Sequence, residues 1–200
     1  IQNYNPQQIG SVMLWTGLPQ LLVIPLVPVL LRKADPRWMA AAGLFLVALS
    51  SYANSQLSLD FGGEQLTHTL LIRAIGQPLV MVTSSLICMA YLMPKDVGSG
   101  SSLYNVLRNL GGAVGIALLS TLIDNRTKTY FDYLREAVIP GNPQVAERIT
   151  LLTEKLGSET AALGKISEIT HQQAQIMAFN DAFLAIAIGV SISLICILLT

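Results

Sequence analysis

Apolar residues collect in long stretches along this chain, and the stretches predict helices that cross a membrane. Five of them qualify, at about residues 9–31, 38–59, 66–93, 97–123 and 177–199. Each supplies the ~20 residues that a helix needs to span ~30 Å of hydrocarbon. Helix is the expected state, because an open sheet would leave backbone groups unpaired in lipid. The pattern therefore predicts an all-α membrane protein.

The polar segment before the last apolar stretch has a different character. Residues 126–175 hold six of the twelve basic and six of the twelve acidic residues. This distribution predicts three parts: four membrane helices within residues 1–125, an extracytoplasmic helical loop at 126–175, and a final membrane helix within 176–200.

Within that loop, apolar residues recur at helical spacing and form one stripe. The stripe consists of Val145, Ile149, Leu152, Leu156, Leu163 and Ile166. It is either a coiled-coil-like surface for a partner protein or the side of a helix that rests on the outer face of the membrane bundle. Gly157 and Gly164 favour the second interpretation, because glycine weakens a long free-standing helix.

Basic residues in the short loops predict how the chain is oriented. The first loop carries Arg32, Lys33 and Arg37, and the third carries Lys95, whereas the second, near residues 60–64, carries no Lys or Arg. Short loops rich in Lys and Arg stay in the cytoplasm. We therefore expect the first and third loops and the C-terminus to be cytoplasmic, and the N-terminus to lie outside.

Composition agrees with a membrane protein and excludes several other classes. The chain is 52% hydrophobic and 12% charged, whereas soluble domains are about 25% charged. Its net charge is zero, so nothing in the balance attracts nucleic acid. No phosphate-binding loop, catalytic nucleophile motif or metal-ligand spacing is present, so we expect neither an enzyme nor a cofactor.

Arg108 is the most informative polar residue within the predicted spans. The apolar stretch after it, residues 110–123, has only 14 residues, which is too short to span a bilayer alone. The helix must therefore include Arg108, at a cost of at least ~2.5–3.5 kcal/mol unless the cation meets water or a polar partner. Asn105 and Asn109 share its helical face. Two roles stay open: lining a cavity, or hydrogen bonding to neighbouring helices.

Other polar and small residues extend this picture. Gln20 and Gln77 lie inside the first and third spans beside prolines, and we assign them to the same cavity. Three glycines in the fourth span predict that a neighbouring helix packs closely against it, namely Gly111, Gly112 and Gly115. No Asp or Glu lies at mid-depth in any predicted span, although a proton-driven transporter uses such a carboxylate as its relay.

Several runs of sequence resemble a known family. SSLYNVLRNLGGAVGIALLSTLIDNR, at 101–126, is similar to a late helix of the EmrB/QacA-type drug exporters, which are fourteen-span members of the major facilitator superfamily. QQIGSVMLWTGLPQLLVIPLVPVLLRKADPRW, at 7–38, resembles the helix and loop that open their C-terminal half, and AFNDAF, at 178–183, also fits.

The resemblance implies that the chain holds the last five helices of a C-terminal bundle, and that an N-terminal half lies outside this sequence. It implies antiport of a lipophilic small molecule against protons across the bacterial inner membrane, by alternating access. Arg32, Lys33, Asp35 and Arg37 would then lie at the cytoplasmic gate. An EmrA-type periplasmic adaptor and an outer-membrane channel would be the partners of the outer loop. The alternative function is a membrane scaffold that recruits partners through that loop without transporting anything.

Overall fold

The computed structural model describes residues 6–56, 63–90, 92–137 and 143–199. These residues form six helices: α1 (Pro6–Leu31), α2 (Pro36–Asn54), α3 (Gly63–Ala90), α4 (Val97–Ala137), α5 (Pro143–Leu156) and α6 (Glu159–Leu199). No strand occurs in the part of the chain described here. The all-α prediction is confirmed.

Three of the helices are long and apolar enough to cross a membrane, over Thr67–Ala90, Val97–Glu136 and Thr160–Leu199. α1 contributes a shorter apolar stretch, Gly17–Leu31. α2 has 19 residues, and the end of its predicted span, at 57–59, lies outside the described residues. The multi-pass membrane class is confirmed, whereas spanning by α1 and α2 stays a prediction.

The two longest helices run past the limits that the sequence predicted for the outer loop. α4 and α6 each contain 41 residues, and a helix of this length measures ~62 Å. That is about twice the hydrocarbon thickness. α4 continues without interruption through residue 126, and α6 already begins at Glu159. The segment at 126–175 is therefore built largely from extensions of two membrane helices.

α5 is a separate short helix that packs on α6. It ends at Leu156, and Gly157 follows with φ at +72°, a left-handed conformation that glycine adopts without steric cost. The chain then turns into α6. The apolar stripe that the sequence placed along one helix is thus divided between two helices that pack against each other.

α2 is the central helix of the bundle, since it packs against both α3 and α6. Its crossing with α3 is close because glycines meet there. A Cβ atom on Gly43 would lie 2.9 Å from Leu79 Cβ and 3.0 Å from the Gly76 carbonyl oxygen, and one on Gly76 would lie 2.9 Å from the Gly43 carbonyl oxygen. Nearer the other end of α2, the buried hydroxyl of Ser50 donates to the Thr69 carbonyl at 2.8 Å.

The other helices attach to this core at its two sides. α1 packs on α3, and α4 packs mainly on α6, with a smaller contact to α3. α1 is continuous from Pro6 to Leu31 although it contains Pro19, Pro25 and Pro28. The prolines therefore do not divide the helix.

We predict that Gly43→Ala destabilises the protein by about 1–3 kcal/mol, because the added methyl group would force two packed helix backbones apart. The matched control is Gly164→Ala, where no atom lies within 4 Å of the added Cβ and alanine favours the helix. Thermal unfolding of the purified full-length variants in detergent measures the effect. Equal melting temperatures for Gly43→Ala and the unmodified protein would contradict the close crossing.

Candidate functional site

The polar residues singled out on α4 lie together on a face that the other described residues leave open. Asn105, Arg108 and Asn109, which we call the polar row, are all exposed. The Asn105 side chain donates to the Ser101 carbonyl of its own helix at 3.0 Å. The polar row therefore remains available for contacts beyond this chain.

Arg108 reaches from α4 towards α3. Its Nη2 atom lies 3.5 Å from the Met81 sulfur, which is a weak acceptor. Among the described residues, no carboxylate lies within ion-pair distance of this guanidinium. Its charge is thus not neutralised by the helices around it.

One of the predicted glutamines lies near the polar row. Gln77 precedes Met81 by one helical turn, so both lie on the same side of α3, and Gln77 is half-buried. Gln20 is half-buried on α1, which packs on α3. Arg108 thus contacts α3 one helical turn from Gln77, and Gln20 lies on the helix that packs on the same α3.

The glycines predicted to pack against a neighbouring helix have no such neighbour within the described chain. A Cβ atom added at Gly111, Gly112 or Gly115 would meet nothing within 4 Å. The apolar residues on the other sides of this part of α4 are exposed too, namely Leu103, Val106, Leu107, Leu110 and Val114. The first half of α4 therefore presents a helix surface that the described part of the chain leaves largely uncovered.

A polar junction that the sequence analysis missed joins the C-terminal half of α4 to the middle of α6. The Tyr130 hydroxyl donates to Asp181 Oδ2 at 2.8 Å, and Arg126 Nε lies 3.3 Å from the same oxygen. The Asp181 side chain is only 29% exposed. The sequence shows Asp181 as the one acid in the apolar AFNDAF run, but its partners Tyr130 and Arg126 lie 51 and 55 positions away along the chain.

A ring contact lies beside this junction, towards the C-terminus of α4 and the N-terminus of α6. Phe131 and His171 meet edge to face, with their centroids 5.6 Å apart. This contact gives His171 a packing role. Within the described residues, no group of three His, Cys, Asp or Glu side chains is placed to hold a metal ion.

The predicted gate residues occupy the turn between α1 and α2. Arg32 and Lys33 close the turn through backbone hydrogen bonds to Val29 and Leu30. Asp35 is the N-cap residue of α2 and makes no capping hydrogen bond with its side chain. Arg37 lies in the first turn of α2, and all four gate side chains are exposed. The structure brings them to one end of the bundle, where α3 and α6 also end.

The predicted partner stripe is partly covered. Ile149 and Leu152 on α5 and Ile166 on α6 are half-buried, whereas Leu163 is 48% exposed. The side chains of Val145 and Leu156 lie outside the described residues. Of the described part of the stripe, Leu163 offers the largest apolar surface to a partner.

Comparisons with known proteins agree with this architecture. The colistin resistance protein EmrB of Acinetobacter baumannii is 30% identical over 193 residues, which cover 94% of this chain and 38% of that protein. The multidrug export protein EmrB of Escherichia coli K12 is 26% identical over 174 residues, covering 84% of this chain and 33% of that protein. The MFS-type transporter YhcA of Bacillus subtilis is 26% identical over 189 residues, with 88% and 35% covered.

The chain is homologous to the EmrB-type transporters of the major facilitator superfamily. It spans 33–38% of the length of these relatives. No protein-family model and no solved structure matches it. The resemblance to this family that the residues indicated is thereby confirmed.

Proposed function

We propose that this chain is the C-terminal part of a multidrug efflux transporter, which exports lipophilic small molecules in exchange for protons by alternating access. The observation that carries the proposal is the uncovered face of α4. The homology to multidrug and colistin resistance proteins supports it.

The composition of that face suits a site for lipophilic substrates. Ligand sites are mostly apolar surfaces with a few placed polar groups, and here one cation and two amides lie among exposed leucines and valines. A charged side chain at membrane depth is stable where it meets water or a polar partner. Arg108 therefore fits a wet cavity between this bundle and the N-terminal half.

A proton-driven transporter uses a carboxylate at mid-depth as its relay, and the predicted spans hold no Asp or Glu there. Asp124 and Asp181 lie towards the outer ends of their spans, and Asp181 is held by Tyr130 and Arg126. We assign the proton relay to the N-terminal half. The role of the polar row is then to bind the substrate.

We further propose that the end bearing Arg32, Lys33, Asp35 and Arg37 faces the cytoplasm of a bacterial inner membrane, as the cytoplasmic gate. Positive charge in short loops favours that side. The outer segment at 126–175 then lies in the periplasm. An EmrA-type adaptor, and through it an outer-membrane channel, would contact the hairpin of α5 and α6.

The test of the substrate site is Arg108→Ala in the full-length protein. Because Arg108 is the charged member of the polar row, we expect dye efflux from cells to fall to background while the protein level stays unchanged. Arg73→Ala is the matched control, since Arg73 is an exposed arginine of α3 outside the polar row, and it should keep efflux. Unchanged efflux in Arg108→Ala would refute the cavity role, and loss of the protein would point to a structural role instead.

The adaptor proposal predicts that Leu163→Glu weakens co-purification of the adaptor at least tenfold, because a desolvated charge in an apolar contact costs more than 1.4 kcal/mol. Ala161→Glu adds the same charge to an exposed position of the same helix, about 200° around its axis. That control should bind the adaptor normally. Equal binding by both variants would exclude this face as the contact.

A scaffold that transports nothing would show no efflux in any variant.

A further inference from the structure

A wide groove lies at the end of the bundle where α2 begins and where α3 and α6 end. Its volume is about 1070 Å³. The walls are mainly apolar and are formed by Leu86, Ile87, Met89 and Ala90 of α3 and Ile197 of α6. None of its lining residues comes from α4, so the groove is separate from the polar row.

The rim of the groove carries charged side chains of both signs, and further basic residues precede them in the chain. Arg37 and Asp35 line it, and Arg32 and Lys33 precede them in the same turn, so residues 32–37 contain three basic residues and one acidic residue. Arg37 already has an interaction within the protein. Because a guanidinium has five N–H donors, Arg37 can contact an anion as well. The turn at 32–37 therefore places a net positive charge beside the groove, which favours a negatively charged group there.

Trp38 places this rim at the surface of a membrane. The indole lines the groove and is 68% exposed. Tryptophan concentrates at the level of lipid headgroups, where its ring is partly in hydrocarbon and its N–H can reach polar groups. The apolar walls then extend from the headgroup level towards the hydrocarbon along the last turns of α3 and α6.

We propose that this groove binds an anionic phospholipid. Its acyl chains lie along Leu86, Ile87 and Ile197, and its phosphate lies beside Arg37 and the indole of Trp38. An occupant with one anionic end and long apolar chains satisfies both parts of the lining. Basic pockets between helices at the cytoplasmic side of a membrane suit such headgroups.

The experiment measures retained lipid rather than transport, so its outcome is independent of the proposed efflux activity. The full-length protein is purified in detergent, equilibrated with mixed phosphatidylglycerol and phosphatidylcholine, and examined by native mass spectrometry. We expect the unmodified protein to retain phosphatidylglycerol preferentially. Arg37→Gln should lower this retention about fivefold, the contribution of one basic residue near an anionic surface.

Two further variants make the result specific to the groove. Lys95→Gln removes a basic residue from the other loop at this end, which does not line the groove, and should leave retention unchanged. Ala90→Trp fills the groove without altering any charge and should lower retention of both lipids. An equal loss in Lys95→Gln and Arg37→Gln would show general surface attraction and overturn the proposal. So would unchanged retention in Ala90→Trp, or no retained lipid in the unmodified protein, which would leave another segment of protein as the occupant.

Discussion

The close crossing of α2 and α3 at Gly43 and Gly76 is the contact on which the rest of the bundle depends. Apolar burial does little to hold helices together in a bilayer, because lipid chains are as apolar as leucine. Helices with small residues at the crossing gain contact by bringing their backbones together instead. With α3 fixed on one side of α2, α6 packs on the other side, and α4 attaches to the bundle mainly through α6.

This arrangement explains why α4 has two different halves. Its C-terminal half is tied to α6 by Tyr130 and Arg126, which share one oxygen of Asp181, and by the ring pair of Phe131 and His171. Its first half has only a small contact to α3, so the polar row and the glycines after it stay uncovered. Because α4 has no break between Arg108 and Tyr130, one continuous helix joins the polar row to this junction.

Much of the fold follows from local sequence signals. The apolar helices were predictable because apolar runs of ~20 residues have few alternatives in lipid, and the shared face of the polar row because i, i+3 and i+4 positions lie on one side of a helix. The glycine crossing was not predicted, since nothing in the local sequence shows that Gly43 and Gly76 meet. Close helix packing was predicted at Gly111, Gly112 and Gly115 instead. The hairpin of α5 and α6 was also hidden, because the apolar stripe keeps its helical spacing across the break at Gly157.

The proposal that the polar row lines a wet cavity is tested most directly by the water accessibility of α4 in the full-length protein. Single cysteines at Asn105 and Asn109 report on the polar row, and cysteines at Leu107 and Val114 report on the opposite face of the same helix. We expect a water-soluble maleimide to label the first pair and to leave the second pair unlabelled, because one face would line a wet cavity and the other would contact lipid. Labelling of both faces alike, or of Leu107 and Val114 alone, would contradict it.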